Sequence, residues 1–438
     1  MASGALHHPD FPELVRVSAR IGVLSFGGPV GQIALMHREL VDERRWVAED
    51  DYLQALNLCT LLPGPEAQQL ATWIGWKLHG WRGGLVAGTL FVIPGALVML
   101  ALSMLYAFAA DLAWFAALFL GIKAAVLAII AQALARLAGR ALKSPFQRAL
   151  AVAAFAALFA FDAPFPLVVL AALALGALAG TGGPGVPPSP PGPAGSGGGA
   201  RPWGATVRAV AVWLAIWAAP MAAVWAFLGP DHVLWDIGAF FSQLAVVTFG
   251  GAYAVLAYMA QEAVGSFGWL SAGEMADGLG LAETTPGPLI MVTQFVGYLA
   301  AFRAPEPFSP LVAGVLGAAL TTWVTFAPCF LWIFAFAPWM DRLQRAPALK
   351  GGLAGVTAAV VGVIANLALW FALHVLFGRV EVAEAGPLRL QWPDWTSFDW
   401  RAALIAAAAL ALVFAFKRGI ATTLAAAAAM GLVLGLAA

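Results

Sequence analysis

Charged residues are scarce in this chain of 438 residues: Asp, Glu, Lys and Arg make up 11%, while hydrophobic residues make up 62%. A soluble globular protein carries about 25% charged residues, so the composition excludes a soluble protein of this size. The 23 basic and 23 acidic residues leave no net charge and form no long basic run, which excludes nucleic acid as a partner. The sequence therefore predicts a polytopic protein of the lipid bilayer.

Cysteine and histidine are also rare, and their scarcity limits the chemistry. Cys59 and Cys329 lie far apart in apolar stretches, so they predict no disulfide framework, metal site or redox motif. Ser, His and Asp do not cluster, and no phosphate-binding Gly-Lys-Ser/Thr loop occurs. We therefore expect neither an enzyme nor a bound cofactor or metal, and any transport must be secondary.

Apolar runs long enough to cross about 30 Å of hydrocarbon as helices predict an all-α fold. The convincing spans are 85–108, 113–135, 203–228, 311–338 and 352–377. Two longer runs, 149–180 and 401–438, are each broken by a polar residue near the middle and predict pairs of short tilted helices. Residues 181–202 hold 15 Gly or Pro in 22 positions, which is typical of a flexible linker.

An internal repeat divides the chain at this linker. Ser25-Phe26-Gly27-Gly28 matches Thr248-Phe249-Gly250-Gly251 at an offset of 223, and Pro63-Gly64-Pro65 matches Pro286-Gly287-Pro288 at the same offset. A further block, 121–132, matches 355–366. The expected organisation is a first membrane repeat at 1–180, the linker at 181–202, a connecting transmembrane helix at 203–229 and a second membrane repeat at 230–438.

The charges of corresponding loops predict how the repeats are oriented. The loop 37–45 holds three arginines, whereas its counterpart 260–269 holds no Lys or Arg. The turn at Asp111 has no basic residue, whereas its counterpart 339–350 has three. Because basic residues in short loops mark the cytoplasmic side, we expect an inverted-topology repeat.

The duplicated motifs interrupt apolar segments, so they predict broken or re-entrant helices. Backbone groups freed by Pro and Gly are costly in hydrocarbon unless protein, water or ligand satisfies them. Half-helix N-termini present free N–H groups and partial positive charge, which suits an anion. The alternative is that the glycines only allow close helix packing. The candidate substrate-binding residues in the motifs are Phe26, Gly27, Gly28, Pro63, Gly64, Pro65, Phe249, Gly250, Gly251, Pro286, Gly287 and Pro288.

Few polar side chains surround these motifs. Arg20, Gln68, Thr284 and Thr285 are candidate donors to a bound anion, and Glu66 and Glu283 are candidates for proton coupling. For Arg20 the alternative is a snorkelling side chain at the interface. For Gln68, Thr284 and Thr285 the alternative is a structural role in hydrogen bonds between helices. Lys123 lies mid-span and is replaced by Thr357 in the other half, so it is either a structural charge or an asymmetric substrate contact.

The sequence resembles the chromate ion transporter family in its long-chain form of two fused halves. The resemblance is carried by Ser25-Phe26-Gly27-Gly28-Pro29, Gln32, Glu39, Arg45-Trp46, Leu62-Pro63-Gly64-Pro65 and the segment from Gly75 to Gly84 (GWKLHGWRGG). It covers nearly the whole chain outside the linker and the helix at 203–228. The second half departs from the pattern, because Ala252 replaces Pro29 and the equivalents of Arg38 and Arg45 are missing.

This resemblance implies a multi-pass protein of the bacterial inner (plasma) membrane that exports chromate and confers chromate resistance. It further implies exchange or competition with sulfate. Chromate and sulfate are both tetrahedral dianions, and sequence does not separate them from molybdate. The alternatives from other classes are a membrane sensor or scaffold and a membrane enzyme. The sequence leaves open whether the protein forms a homodimer.

Overall fold

The computed structural model describes residues 6–26, 28–110, 112–180, 203–248, 252–340, 346–386 and 388–437. The expected linker at 181–202 lies outside the described residues. Within the described residues the chain is mostly helical, and the five expected spans are confirmed in position. The helices long and apolar enough to cross a membrane are Glu66–Ala109, Ala113–Ala141, Trp203–Leu228, Pro310–Trp339 and Pro347–Leu376.

The first half forms seven helices in chain order. They are α1 (Phe11–Leu24), α2 (Gly28–His37), α3 (Glu49–Leu61), α4 (Glu66–Ala109), α5 (Ala113–Ala141), α6 (Pro145–Phe161) and α7 (Phe165–Gly180). α2 continues into a π-helical turn, Arg38–Glu43. The pair predicted for 149–180 is confirmed: Asp162 ends α6 in a left-handed conformation, and Pro145 and the capping residue Ser144 begin it.

The second half repeats this order after the connecting helix α8 (Trp203–Leu228). Its helices are α9 (Val233–Val247), α10 (Ala252–Ala260), α11 (Ala272–Thr284), α12 (Val292–Arg303), α13 (Pro310–Phe336), α14 (Pro347–Leu376), α15 (Trp400–Leu410) and α16 (Ile420–Leu436). The π-helical turn also recurs, at Gln261–Ser266. Adding the offset of 223 to the first and last residues of α3 gives those of α11. The same holds for the two π-helical turns.

The repeat extends to single backbone angles. Arg45 has φ +53° and its equivalent Gly268 has φ +61°. Asp162 (φ +48°) and Lys417 (φ +52°) occupy the two predicted breaks at 149–180 and 401–438. Residues other than glycine rarely adopt a positive φ. Positive φ angles at corresponding positions therefore indicate that the two halves share one fold.

The helices before and after each duplicated motif form a helical hairpin. α1 and α2 run antiparallel, because the N–H of His7, before α1, donates to the carbonyl oxygen of Arg45, after the π-helical turn that continues α2. α3 and the first part of α4 also run antiparallel, since Asp51 and Lys77 form an ion pair of 2.7 Å. The second half repeats both hairpins: Gln243 on α9 is hydrogen-bonded to Tyr258 on α10. Likewise, Glu274 on α11 pairs with Arg303 on α12.

A chain reversal divides α4, which is longer than the predicted span. His79 and Gly80 have non-helical backbone angles, so residues 66–78 form one arm and residues 81–109 return against it. A Cβ at Gly75 would lie 2.3 Å from the carbonyl oxygen of Gly83, so the two arms touch through glycines. Gly297 on α12 and Gly317 on α13 form the same contact in the second half.

The predicted all-α class agrees with the mostly helical described residues, and one short departure from it lies at residues 380–393. Strands β1 (Val380–Ala385) and β2 (Leu388–Pro393) form an antiparallel hairpin between the apolar run that ends at 377 and the one that begins at 401. The physical reason is local, because alternating Val-Glu-Val and Leu-Arg-Leu segments flank a turn at Gly386, which has φ +62°. This hairpin covers a cavity of about 300 Å³ beside α6, α10 and α14.

Candidate functional site

The tips of the four hairpins meet at the centre of the protein and exchange hydrogen bonds between the halves. The N–H of Gly64 donates to the carbonyl oxygen of Thr248 at 2.8 Å, and the N–H of Gly287 donates to that of Ser25 at 2.7 Å. These are equivalent bonds, because Ser25 and Thr248, like Gly64 and Gly287, correspond in the repeat. Gln32 adds a further bond from its amide to the carbonyl oxygen of Gly287, at 2.5 Å.

Local sequence explains why the chain can turn at these tips. Gly64 and Gly287 have φ +116° and +89°, a region that glycine adopts without steric cost. The prolines on either side of each glycine cannot continue a helix, so α3 and α11 end there. At the other two tips the hydroxyls of Ser25 and Thr248 donate to the carbonyl of the preceding turn, each at 2.6 Å, and close α1 and α9.

A small cavity lies where the tips meet. Its volume is about 20 Å³, enough for one water molecule, which needs about 10–15 Å³. Its walls are Pro29, Gln32, Gly64, Pro65, Glu66, Ala67, Thr248, Pro288, Leu289 and Ile290. α4 begins at Glu66 and a helical turn leading into α12 begins at Leu289, so half-helix N-termini from both halves face the cavity. First-turn N–H groups and the helix dipole make each N-terminus favourable for an anion.

The structure brings some of the predicted site residues to this cavity. Gly64, Pro65, Glu66 and Pro288 line it. Pro63, Pro286 and Gly287 belong to the two tips that enclose it and are buried. Gly27, Phe249, Gly250 and Gly251 lie outside the described residues, so their candidacy stays a prediction.

The N–H groups of Gly64 and Gly287 are not available to an anion in this conformation. Both were expected to contact it, yet both bond to carbonyl oxygens of the opposite half. An anion can use them only after the tips separate. Ala67 and Ile290, in the first turn beyond each motif, line the cavity.

The predicted polar donors form local bonds rather than one cluster. Thr284 and Thr285 donate to carbonyls of their own helix, at 2.8 and 3.0 Å. Gln68 is fully buried and donates to the Thr72 hydroxyl at 3.3 Å, which leaves its amide oxygen without a hydrogen bond. Glu283 lies half-buried in the last turn of α11.

Arg20 lies along the arm of its hairpin and not at the tip. Its side chain is 56% exposed, and its Nη2 atom lies 3.5 Å from Glu39 Oε1. Glu39 is buried and also pairs with Arg44. Phe26 is 50% exposed at the tip, and Gly28 has φ +69° with no described atom within 4 Å of where a Cβ would be.

Sequence reasoning missed Gln32 and Thr248 as residues of the cavity. Gln32 has Val255 as its equivalent, so a search for repeated residues could not find it. Thr248 directly precedes the second Phe-Gly-Gly motif, and this position in the sequence could have indicated that it belongs to the cavity. Position Asp277 was also missed, although it is the buried partner of Lys123, 3.5 Å from its Nζ atom.

Comparison with known proteins connects this geometry to a family. The family model described as chromate transporter matches residues 12–177 and 235–432. The chain belongs to the chromate transporter family. Its members named as transport proteins are transporters and not enzymes, in agreement with the sequence analysis.

Several relatives of this chromate transporter family member share most of its length. The chain is 33% identical to a chromate transport protein of Pseudomonas aeruginosa over 81% of this chain and 79% of that one. It is 30% identical to a chromate transport protein of Cupriavidus metallidurans over 83% of this chain and 84% of that one. A probable chromate transport protein of Synechococcus elongatus is 29% identical to the chain over 82% of this chain and 84% of that protein. No solved structure matches the chain significantly.

Proposed function

We propose that this protein is a secondary active transporter that moves chromate out of the cell, in exchange or competition with sulfate. The observation that carries the proposal is the central cavity, where half-helix N-termini from both halves converge. A tetrahedral dianion is recognised by N–H groups and positive dipoles more than by base chemistry. The names of the relatives support chromate as the ion.

We further propose that the halves lie inverted in the bacterial inner membrane. Arms of about 13 residues reach about 20 Å, which brings a tip to mid-membrane from one surface. The reciprocal tip contacts fit hairpins that enter from opposite surfaces, and the basic loops of the first half favour a cytoplasmic position for its hairpin bases.

In this proposal the substrate site consists of the four tips and the residues predicted around them. A cavity of about 20 Å³ is too small for a tetrahedral oxyanion, so loading requires the tips to move apart. Among the described residues that line the cavity, Glu66 is the one that can carry a charge. An ionised carboxylate at this position would repel a bound dianion. Glu66 is therefore neutral when the anion is bound, and this is its proposed role in proton coupling, with Glu283 at the equivalent motif as the second candidate.

Anion uptake into everted membrane vesicles tests this function. We expect labelled chromate to enter vesicles that contain the protein, and sulfate to inhibit that uptake or, when loaded inside, to accelerate it. Glu66→Gln should retain uptake and lose its response to a pH gradient. Uptake of sulfate or molybdate but not chromate would reassign the substrate, and no anion uptake at normal expression would favour a sensor or scaffold.

A further inference from the structure

The helices α3 and α11 are equivalent in the repeat, yet their outer faces have different surroundings. On α11 this face is sealed against α5 and α4. Asp277 is 5% exposed, accepts a hydrogen bond of 2.8 Å from Tyr106 and lies 3.5 Å from Lys123. One helical turn further on, a Cβ at Gly280 would lie 2.2 Å from a methyl carbon of Ile122. This contact leaves no space for water between Gly280 and Ile122.

On α3 the corresponding face is open. Leu53 is 44% exposed, whereas its equivalent Ala276 is 1% exposed. Gln54, Asn57 and Thr60 are also exposed, and their spacing of three residues places them along one side of the helix. This polar side leads directly to the motif that begins at Pro63 and thus to the central cavity.

Hydrocarbon is an unfavourable environment for this face. Amide and hydroxyl side chains at membrane depth face protein or a water-filled space, because lipid satisfies none of their hydrogen bonds. The hydroxyl of Thr60 donates to the carbonyl oxygen of Asn57 at 2.8 Å. The exposed amides of Gln54 and Asn57 each have two donor hydrogens and an acceptor oxygen, more than a single contact within the protein satisfies. Either water or a second copy of the chain must therefore cover this face.

We propose that the face formed by Gln54, Asn57 and Thr60 lines a water-filled path by which the oxyanion reaches the hairpin tips. The sealed contact of α11 with Lys123, Tyr106 and Ile122 is then the closed gate of the equivalent path on the other side. The assignment rests on the proposed function for the identity of the ion. Uncharged donors suit this role, since they form hydrogen bonds with a dianion but bind it less tightly than a cationic side chain would.

Thiol accessibility tests the path in the full-length protein in membranes, with Cys59 and Cys329 replaced by alanine. Leu53→Cys and its equivalent Ala276→Cys form a matched pair, and Asn57→Cys probes the polar side. A hydrophilic thiosulfonate reagent should modify positions 53 and 57 at least about tenfold faster than position 276, because a buried thiol reacts only after local opening. The double substitution Lys123→Met with Asp277→Asn should accelerate modification at position 276.

Two results would overturn the path. Unreactive thiols at 53 and 57 would place these residues in lipid, and disulfide-linked dimers formed through 57 under mild oxidation would show that a second copy covers them. Chromate or sulfate at saturating concentration should slow modification at 57, which supports an anion path. Rapid modification without protection by either ion would keep the aqueous path and count against the proposed function.

Discussion

The backbone N–H of Gly64 in the first half bonds to the carbonyl oxygen of Thr248 in the second half, and Gly287 forms the same bond with Ser25. The two bonds join all four hairpin tips and close the central cavity. An ion that enters the cavity must lengthen or break at least one of them. In the proposed mechanism, these two glycines couple substrate binding to the relative movement of the halves.

Gly64→Ala and Gly287→Ala should lower both stability and transport. A Cβ forced into the left-handed region costs about 1–2 kcal/mol. At Gly64 it would also lie 2.9 Å from the Cys329 sulfur, and at Gly287 3.2 Å from the Gly95 Cα atom. Thermal unfolding in detergent and vesicle uptake measure the two effects. Gly139→Ala is the control, because Gly139 has no described atom within 4 Å of a Cβ. Unchanged melting and uptake in both tip variants would contradict the structure of the tips.

Much of the fold follows from the sequence because the dominant forces leave periodic or compositional traces. Long apolar runs located the spans, and the fixed offset of the duplicated motifs agrees with the matching bounds of α3 and α11. The reversal at His79 and Gly80 was missed, since both arms of α4 are apolar and helical and the break consists of two residues. The hairpin at 380–393 was missed because each strand is only six residues long.

The site was less predictable, since its contacts join residues far apart in sequence. Proline and glycine identified the tips, but they could not show that the Gly64 N–H bonds to Thr248 and not to a ligand. Similarly, Lys123 was recognised as unusual, whereas its partner Asp277 lies 154 positions away with no motif to connect them. Long-range pairing of this kind depends on packing, which local patterns do not encode.

Substitutions at Gly28 separate backbone conformation from packing. Gly28 has φ +69° and no described atom within 4 Å of where its Cβ would be, so Gly28→Asn should be tolerated, because Asn adopts left-handed angles more readily than other residues. Gly28→Val should abolish chromate resistance at near-normal expression, since a β-branched residue resists this conformation. Expression by immunoblot and growth on chromate provide the readouts. Loss of the Val protein from the membrane would instead indicate a packing role. The same result is predicted for Gly251→Val.

Arg20 should contribute charge and geometry to anion affinity. Arg20→Ala is expected to raise the apparent KM for chromate several-fold, and Arg20→Lys should restore part of the affinity, because the charge persists while the bidentate geometry is lost. Glu39→Gln is the matched control: it removes the ion pair of Arg20 and keeps its charge. If Arg20→Ala and Glu39→Gln lower expression equally and leave KM unchanged, Arg20 is structural.

The two halves should present equivalent loops on opposite sides of the membrane. Asp42 and Gly265 are related by the offset of 223, and both are exposed at the bases of their hairpins. In a cysteine-free background, Asp42→Cys should be labelled by an impermeant maleimide only in everted vesicles, because its loop is basic and therefore cytoplasmic. Gly265→Cys should be labelled only in intact cells or right-side-out vesicles. Labelling of both positions from one side would eliminate the inverted arrangement, and with it the model in which hairpins from opposite surfaces form one anion site.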